Sequence, residues 1–270
     1  MILLLTGCMT LDPFFFNGER VSQYGFPTDI ERLEEVAFTS GDGTQLYGAW
    51  AWQAGQARHS TVLYFHGNAA NMDHYWPQVE AIYEAGYNVF TFDYRGFGRS
   101  EGDSTHDGLL LDGVAAVDAT LQQTPWLDGA DELAFVGLSL GGFVGLHTAV
   151  ERAPGALVTQ DMFASAEDLV ELNTGMDYPA GWLVEEGFDN VGAAGQLEGV
   201  PYLLMHGSDD TYIKPDNAHR VYEAAQDPKR LWLVPGAGHA DTHEVALEDY
   251  QRELVDWLGP PEEGDTGSSE

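Results

Sequence analysis

Short β-rich apolar segments alternate with longer stretches of helical periodicity along most of the chain. Such alternation is typical of a mostly parallel sheet flanked by helices, and it excludes an all-helical or all-β domain. Eight strands are predicted, at Glu35–Phe38, Leu46–Trp52, Thr61–Phe65, Asn88–Phe92, Leu133–Val136, Ala156–Thr159, Tyr202–Met205 and Arg230–Val234. Five helices are predicted between and after them, at Pro77–Ala85, Asp107–Gln123, Leu140–Arg152, Asp216–Ala225 and Thr242–Leu258.

Acidic side chains greatly outnumber basic ones, 44 against 11 in 270 residues, which gives a formal net charge of −33. A nucleic acid needs a basic face, so nucleic acid is excluded as a partner, and an anionic lipid surface is disfavoured for the same reason. The charge is expected to form a solvated acidic surface.

The two ends of the chain differ from its middle. Residues 1–8 end in Leu5-Thr6-Gly7-Cys8, which resembles a bacterial lipobox, so Cys8 is a candidate lipidated residue and the only predicted membrane contact. This predicts a lipoprotein of the cell envelope, with a cytoplasmic protein as the alternative. Residues 9–34 form an N-terminal extension, residues 35–259 one domain with a small helical lid at about 160–199, and residues 260–270 an acidic, disordered tail.

A nucleophile elbow is predicted at Gly137-Leu138-Ser139-Leu140-Gly141. This matches the G-x-S-x-G pattern, in which small residues allow a sharp turn from strand to helix that exposes the serine oxygen. A predicted strand precedes the pattern and a predicted helix follows it. Ser139 is therefore the candidate nucleophile.

A serine hydroxyl needs a base to remove its proton, and a carboxylate to orient that base. His239 follows a glycine-containing loop directly after the last predicted strand, so it is the candidate base. Asp209 and Asp210 both follow the seventh strand, and either could be the acid. The order Ser, Asp, His is the one used by α/β-hydrolases. Five other histidines, His59, His74, His106, His147 and His219, are expected to be structural.

Four further segments, together with the elbow, match the motifs of a known enzyme family. They are Phe65-His66-Gly67-Asn68-Ala69-Ala70-Asn71, Phe92-Asp93-Tyr94-Arg95-Gly96-Phe97-Gly98-Arg99-Ser100, His206-Gly207-Ser208-Asp209-Asp210 and Gly238-His239-Ala240-Asp241. With the elbow, and in this order, they make the chain similar from Val36 to Leu258 to the lid-poor α/β-hydrolases of the serine-aminopeptidase-like group, including Bem-type and depalmitoylase-like hydrolases.

This resemblance implies the α/β-hydrolase fold and no cofactor or metal. It implies that Asp210 is the acid, and that the backbone N–H groups of Asn68 and Leu140 form the oxyanion hole. It also implies that Asp93 and Arg95 are an architectural pair and that His66 and His206 are structural. The run Gln160-Asp161-Met162-Phe163-Ala164-Ser165 departs from the pattern of relatives. The substrates of relatives therefore do not carry over directly to this chain.

The expected reaction is hydrolysis of short to medium acyl esters or thioesters, with a small-molecule ester as partner. Apolar residues of the predicted lid are candidates for the acyl pocket, namely Met162, Phe163, Leu169, Leu172, Tyr178, Trp182, Leu183 and Phe188. A peptidase or amidase would use the same triad with a fixed acid at the mouth, such as Asp161 or Glu167, and a cofactor-free perhydrolase is a third reaction. A metal site at His239 and His243, and a non-catalytic binding protein, are the remaining alternatives.

Overall fold

One sheet of eight strands passes through the part of the chain that the computed structural model describes, residues 16–26, 29–53, 61–165, 168 and 188–261. The strands are β1 Leu33–Thr39, β2 Gln45–Ala51, β3 Thr61–Phe65, β4 Asn88–Asp93, β5 Ala134–Leu138, β6 Ala156–Gln160, β7 Tyr202–Gly207 and β8 Lys229–Val234. Their order across the sheet is β1-β2-β4-β3-β5-β6-β7-β8. Pairs β1–β2 and β2–β4 are antiparallel and all others are parallel, so the predicted mostly parallel sheet is confirmed.

Helices cover both faces of the sheet, which explains why every residue of β3, β4, β6 and β7 is buried. In β3, alternate residues enter different clusters: Leu63 and Phe65 pack on one face, Val62 and Tyr64 on the other. The helices are α1 Trp76–Glu84, α2 His106–Gln123, α3 Leu140–Glu151, α4 Asn190–Gln196, α5 Asp216–Ala224, α6 Thr242–Val245 and α7 Leu247–Leu258, with a 3-10 turn at Ala130–Glu132.

The last predicted helix is wrong as a single element. The backbone leaves the helical conformation at Ala246, with φ −140° and ψ 45°, so α6 and α7 are separate. Leu247 is consequently exposed, whereas Tyr250 and Leu254 are fully buried against the sheet. The apolar spacing of this segment is therefore correct only from Tyr250 onward.

Helix α4 was not predicted, and it lies inside the range assigned to the lid. Its residues Ala193 and Ala194 are buried in the cluster that contains α3 and α5. Residues 166–167 and 169–187 of the predicted lid, Cys8, and residues 262–270 of the predicted tail lie outside the described residues, and these assignments stay predictions. Among the described helices, none combines the length and the apolar character that a membrane crossing needs.

The N-terminal segment 16–26 is fixed along the loops that follow β3 and β4. Gly18 forms a parallel bridge with Ala70, and Arg20 forms one with Gly98. The Arg20 guanidinium also donates to the carbonyl oxygens of Ser100 and Gly102. This part of the predicted N-terminal extension thus contacts the end of the sheet at which parallel strands terminate.

Candidate active site

Ser139 stands at a strained turn between β5 and α3. Its φ of 53° and ψ of −112° are rare for a residue with a side chain and cost on the order of 1–3 kcal/mol. A Cβ on Gly137 would lie 2.3 Å from the carbonyl oxygen of Gly141, and a Cβ on Gly141 would lie 2.0 Å from that of Phe65. Both glycines of the predicted elbow are therefore required by close backbone contacts.

The carboxylate of Asp210 orients the ring of His239. Nδ1 of His239 lies 2.8 Å from Oδ2 of Asp210, whose side chain is fully buried, and the other oxygen of Asp210 accepts the N–H groups of Tyr212 and Ile213 at 2.8 Å. Asp209 is exposed and accepts a hydrogen bond from the Ser208 hydroxyl. Of the two adjacent acids, Asp210 is therefore the one that is hydrogen-bonded to the predicted base.

Electrostatics favour the ionised form of Asp210. Burial alone raises the pKa of this carboxyl, but hydrogen bonds with His206 and His239 and with the Ile213 N–H outweigh it and hold the pKa well below the usual range. An ionised acid beneath the histidine stabilises the imidazolium that forms when the histidine takes a proton.

A cavity of about 230 Å³ opens beside these residues, and both Ser139 and His239 line it. The predicted oxyanion residues Asn68 and Leu140 line the same cavity. Leu140 is the first residue of α3, so its N–H has no acceptor within the helix. The side-chain oxygen of Asn68 accepts the N–H of Asn17, which connects the loop after β3 to the N-terminal segment. The structure thus brings together all five residues of the predicted site, four around the cavity and Asp210 behind His239.

The predicted pair of Asp93 and Arg95 does not form. Arg95 instead binds Asp112 through Nε and Nη2, at 2.7–3.1 Å, and Asp42 through Nη1 at 2.7 Å. Asp93 accepts the Tyr24 hydroxyl at 2.5 Å and the Met72 N–H at 2.8 Å. Both residues are buried away from the cavity, so their architectural role stands although they have different partners.

His66 and His206, predicted to be structural, are both fully buried. Nε2 of His66 lies 3.2 Å from Asp93, and Nε2 of His206 lies 2.7 Å from the carbonyl oxygen of Ile213. Although burial opposes the charged form, Asp210 and Asp161 raise the pKa of His206.

Asp161 is not at the mouth of the cavity, where the peptidase alternative placed it. Its side chain is buried, and its two oxygens accept the N–H groups of Gly207 and Ala240. With His206 and Asp210 it forms the group of possible metal ligands found in the described part of the chain, their ligand atoms lying within 4.8 Å of one another. A metal bound there would compete with His239 for Asp210. His243, the partner in the alternative metal site, lies beside Glu244.

Aromatic residues that were not singled out in the sequence also line the cavity. The Tyr212 ring lies 4.9 Å from the His239 ring, and Phe16 and Tyr75 complete the wall. Of the eight apolar lid candidates, Phe163 and Phe188 line the cavity and Met162 is buried; Leu169, Leu172, Tyr178, Trp182 and Leu183 lie outside the described residues. Phe16 and Tyr75 are far from the elbow in sequence, and no local motif marks them.

Comparisons with known proteins agree with this architecture. A family model described as serine aminopeptidase, S33, matches residues 56–168. The uncharacterized protein YfhR of Escherichia coli K12 is 30% identical over 96% of this chain and 92% of its own length. Protein bem46 of Schizosaccharomyces pombe is 26% identical over 73% of this chain and 67% of its own.

Among solved structures, the Pyrococcus furiosus esterase Pf2001 superimposes with a TM-score of 0.74 at 23% identity. The match covers 91% of this chain and 99% of that one. The esterase domain of a Rhodothermus marinus protein superimposes with a TM-score of 0.64 at 20% identity, over 84% of this chain and 100% of that one. At these identities the similarity shows the fold, and the predicted fold is confirmed.

Proposed function

Because the chain belongs to the α/β-hydrolase family, we propose that it is a serine hydrolase that cleaves carboxylic esters or thioesters of short to medium acyl chains. The observation that carries this proposal is the hydrogen-bonded pair of Asp210 and His239 beside a cavity that Ser139 also lines. A protein that only binds a ligand has no need of a strained serine together with an oriented histidine.

In the proposed mechanism, His239 removes the proton of the Ser139 hydroxyl as its oxygen attacks the carbonyl carbon. Asp210 accepts a hydrogen bond from Nδ1–H, which leaves Nε2 as the base and stabilises the imidazolium. The N–H groups of Asn68 and Leu140 stabilise the negative charge on the tetrahedral oxygen. His239 then gives its proton to the leaving alcohol or thiol, and water hydrolyses the acyl-enzyme by the same steps in turn.

The cavity supports a small acyl group. Its volume of about 230 Å³ is below the ~300–1,000 Å³ of sites for drug-sized ligands. Its described lining is mostly apolar and aromatic, and none of the described lining residues is a carboxylate that would bind a free amino terminus. This favours an ester over an aminopeptidase substrate. The net charge of −33 adds repulsion against substrates that carry a carboxylate.

The nucleophile is tested with a fluorophosphonate probe and its site of attachment by mass spectrometry. The probe is expected on Ser139, and Ser139→Ala is expected to lose it while keeping the wild-type circular dichroism spectrum. Ser208→Ala is the matched control, because Ser208 is an exposed serine at the end of β7. Labelling that survives in Ser139→Ala, or that is absent from the wild type, contradicts the proposal.

The substrate class is tested with p-nitrophenyl esters of 2 to 16 acyl carbons and with aminoacyl p-nitroanilides. Esters with acyl chains of about four to eight carbons are expected to give the highest kcat/KM. Values that still rise at 16 carbons, or faster turnover of the anilides, contradict the substrate assignment but not the nucleophile.

A further inference from the structure

Asp161 has a backbone conformation that an aspartate rarely adopts. It follows the last residue of β6 directly, its φ is +47°, and only 1% of its surface is exposed. A left-handed conformation outside glycine is disfavoured, and it persists where surrounding contacts hold the residue. Its own N–H donates to the carbonyl oxygen of Met205 at 3.1 Å, which holds it against β7.

The carboxylate of Asp161 connects two loops that are distant in sequence. Oδ1 accepts the N–H of Gly207 at 2.8 Å, and Gly207 is the last residue of β7, directly before the loop that carries Asp210. Oδ2 accepts the N–H of Ala240 at 2.9 Å, and Ala240 follows His239 directly. Ala240 also has a positive φ, of 66°, so the chain next to the base is held in an uncommon conformation. A single side chain thus fixes the acid loop and the base loop relative to each other.

The charge of Asp161 also faces the site. His206 from β7, Asp210 from the loop after β7 and His239 from the loop after β8 all surround it. Asp241, two residues after His239, accepts the Gly238 N–H, and the Tyr212 ring packs on His239. Burial raises the pKa of the Asp161 carboxyl, whereas His206, His239 and the two backbone N–H groups that it accepts favour its ionised form. In that form, a buried negative charge beside the base favours the imidazolium of the transition state.

We propose that Asp161 is a positioning residue that sets the geometry of the Asp210–His239 pair by bridging their loops. The proposal rests on the proposed serine-hydrolase function. Asp161 acts through His239 and touches no reacting atom, so its removal is expected to affect kcat rather than substrate binding.

The test compares Asp161→Asn with Asp112→Asn. Both replace a buried carboxylate that accepts a backbone N–H, but Asp112 binds Arg95 and lies outside the cavity lining. An amide has one oxygen, so Asp161→Asn retains at most one of the two loop contacts. Its kcat is expected to fall about 10- to 100-fold with KM within about threefold. The acid limb of its kcat/KM profile is expected to move to lower pH, because a negative charge beside His239 is lost. Asp112→Asn is expected to lower Tm and to leave kcat and the acid limb within twofold of wild type.

Two further measurements make the result decisive. Asp161→Glu keeps the charge but lengthens the bridge, so its acid limb is expected at the wild-type pH with kcat still reduced. The low-field proton resonance of the His239–Asp210 hydrogen bond, measured by NMR, does not depend on turnover. It is expected to shift or broaden in both Asp161 variants and to stay unchanged in Asp112→Asn.

The proposal is overturned if Asp161→Asn keeps the wild-type kcat and acid limb, or if Asp161→Glu keeps the wild-type kcat and proton resonance. If the wild type itself shows no ester turnover and no probe labelling, the proposed function is wrong, and the proton resonance alone then decides whether Asp161 bridges the pair.

Discussion

Two buried carboxylate networks lie at the ends of parallel strands of the same sheet, separated by β3 and β5, and they differ in the cation that faces each carboxylate. At the end of β4, the carboxylate of Asp112 meets the guanidinium of Arg95, which is charged at every pH the protein meets. At the ends of β6 and β7, the cationic side chains that face Asp161 and Asp210 in the described part of the chain are histidines. A permanent cation fixes a structure, whereas a titratable one can accept and release a proton during a reaction. For these two networks the type of cation, rather than burial, distinguishes the architectural carboxylate Asp112 from the proposed catalytic carboxylates.

The largest expected effect is on the nucleophile and the base. Ser139→Ala and His239→Ala are each expected to lower kcat/KM for the best p-nitrophenyl ester by about 10⁴-fold or more, and the double variant no further, because the triad acts as a unit. Steady-state kinetics on folded variants provides the measurement. A double variant that loses the product of the two single effects would mean that the residues act independently, and the comparison of networks would fail.

The acid is expected to rank next. Asp210→Asn is expected to lower kcat by about 10³-fold or more, because the amide can present the wrong partner to Nδ1 and no longer stabilises the imidazolium. Asp209→Asn serves as the control, since Asp209 is exposed and contacts Ser208; a change within about threefold is expected. Equal losses in the two variants would contradict the assignment of Asp210 alone.

Stability is expected to distinguish the architectural network. Asp112→Ala leaves the Arg95 guanidinium buried without its main partner, so the free energy of unfolding is expected to fall by about 3 kcal/mol. For a chain of this size, that loss corresponds to a Tm lower by roughly 6–12 °C. Urea unfolding and calorimetry measure it, while kcat of the folded protein is expected to stay within twofold. A tenfold loss of kcat would show that the two networks are coupled.

The elements that could be predicted are those whose signal is local. Buried parallel strands are continuous apolar runs, so β3 to β7 were located to within three residues at their ends. The elbow was found because its glycines are required by contacts within and beside the turn itself. Helix α4 was missed because its short sequence contains two glycines, which disfavour a helix unless it packs on neighbours, as α4 does on α3 and α5.

The partners of the buried charges could not be predicted, because they are distant in sequence. Arg95 pairs with residues 17 and 53 positions away, and Asp161 with residues 46 and 79 positions away. Asp209 and Asp210 follow the same strand, and only the turn that the loop makes in three dimensions decides which one faces His239. The resemblance to relatives supplied that choice, whereas spacing left it open.

Acid pH is expected to weaken the catalytic network in a defined direction. The pKa of Asp210 is held below its ordinary value in the fold, because hydrogen bonds with His206 and His239 outweigh the effect of burial. Its contribution is therefore complete above the unfolded pKa of about 3.9 and is lost as pH falls below that value. Urea unfolding at pH 6 and pH 3 should show a loss from this group of about 1 kcal/mol in the wild type, with the remainder lost below pH 3. Asp210→Asn is expected to lose less over that interval, and an identical slope in both proteins would contradict this linkage.

The smallest expected effect concerns the N-terminal segment that borders the proposed catalytic network. Phe16 lines the cavity, and the Asn17 N–H donates to the side chain of Asn68 at 2.9 Å, so this segment forms part of the wall of the proposed acyl pocket. Phe16→Ala is expected to move the optimum of kcat/KM toward longer esters by about two to four carbons. Each added methylene that the widened cavity buries contributes up to ~0.8 kcal/mol, or roughly fourfold in kcat/KM.

Phe26→Ala is the matched control for this prediction. Phe26 belongs to the same segment but packs on Tyr24 and Trp76 and does not line the cavity, so its removal should leave the chain-length optimum unchanged. The same p-nitrophenyl ester series measures both variants. An unchanged optimum in Phe16→Ala would show that the N-terminal segment does not limit the acyl pocket and that the other lining residues, such as Phe163 and Phe188, do.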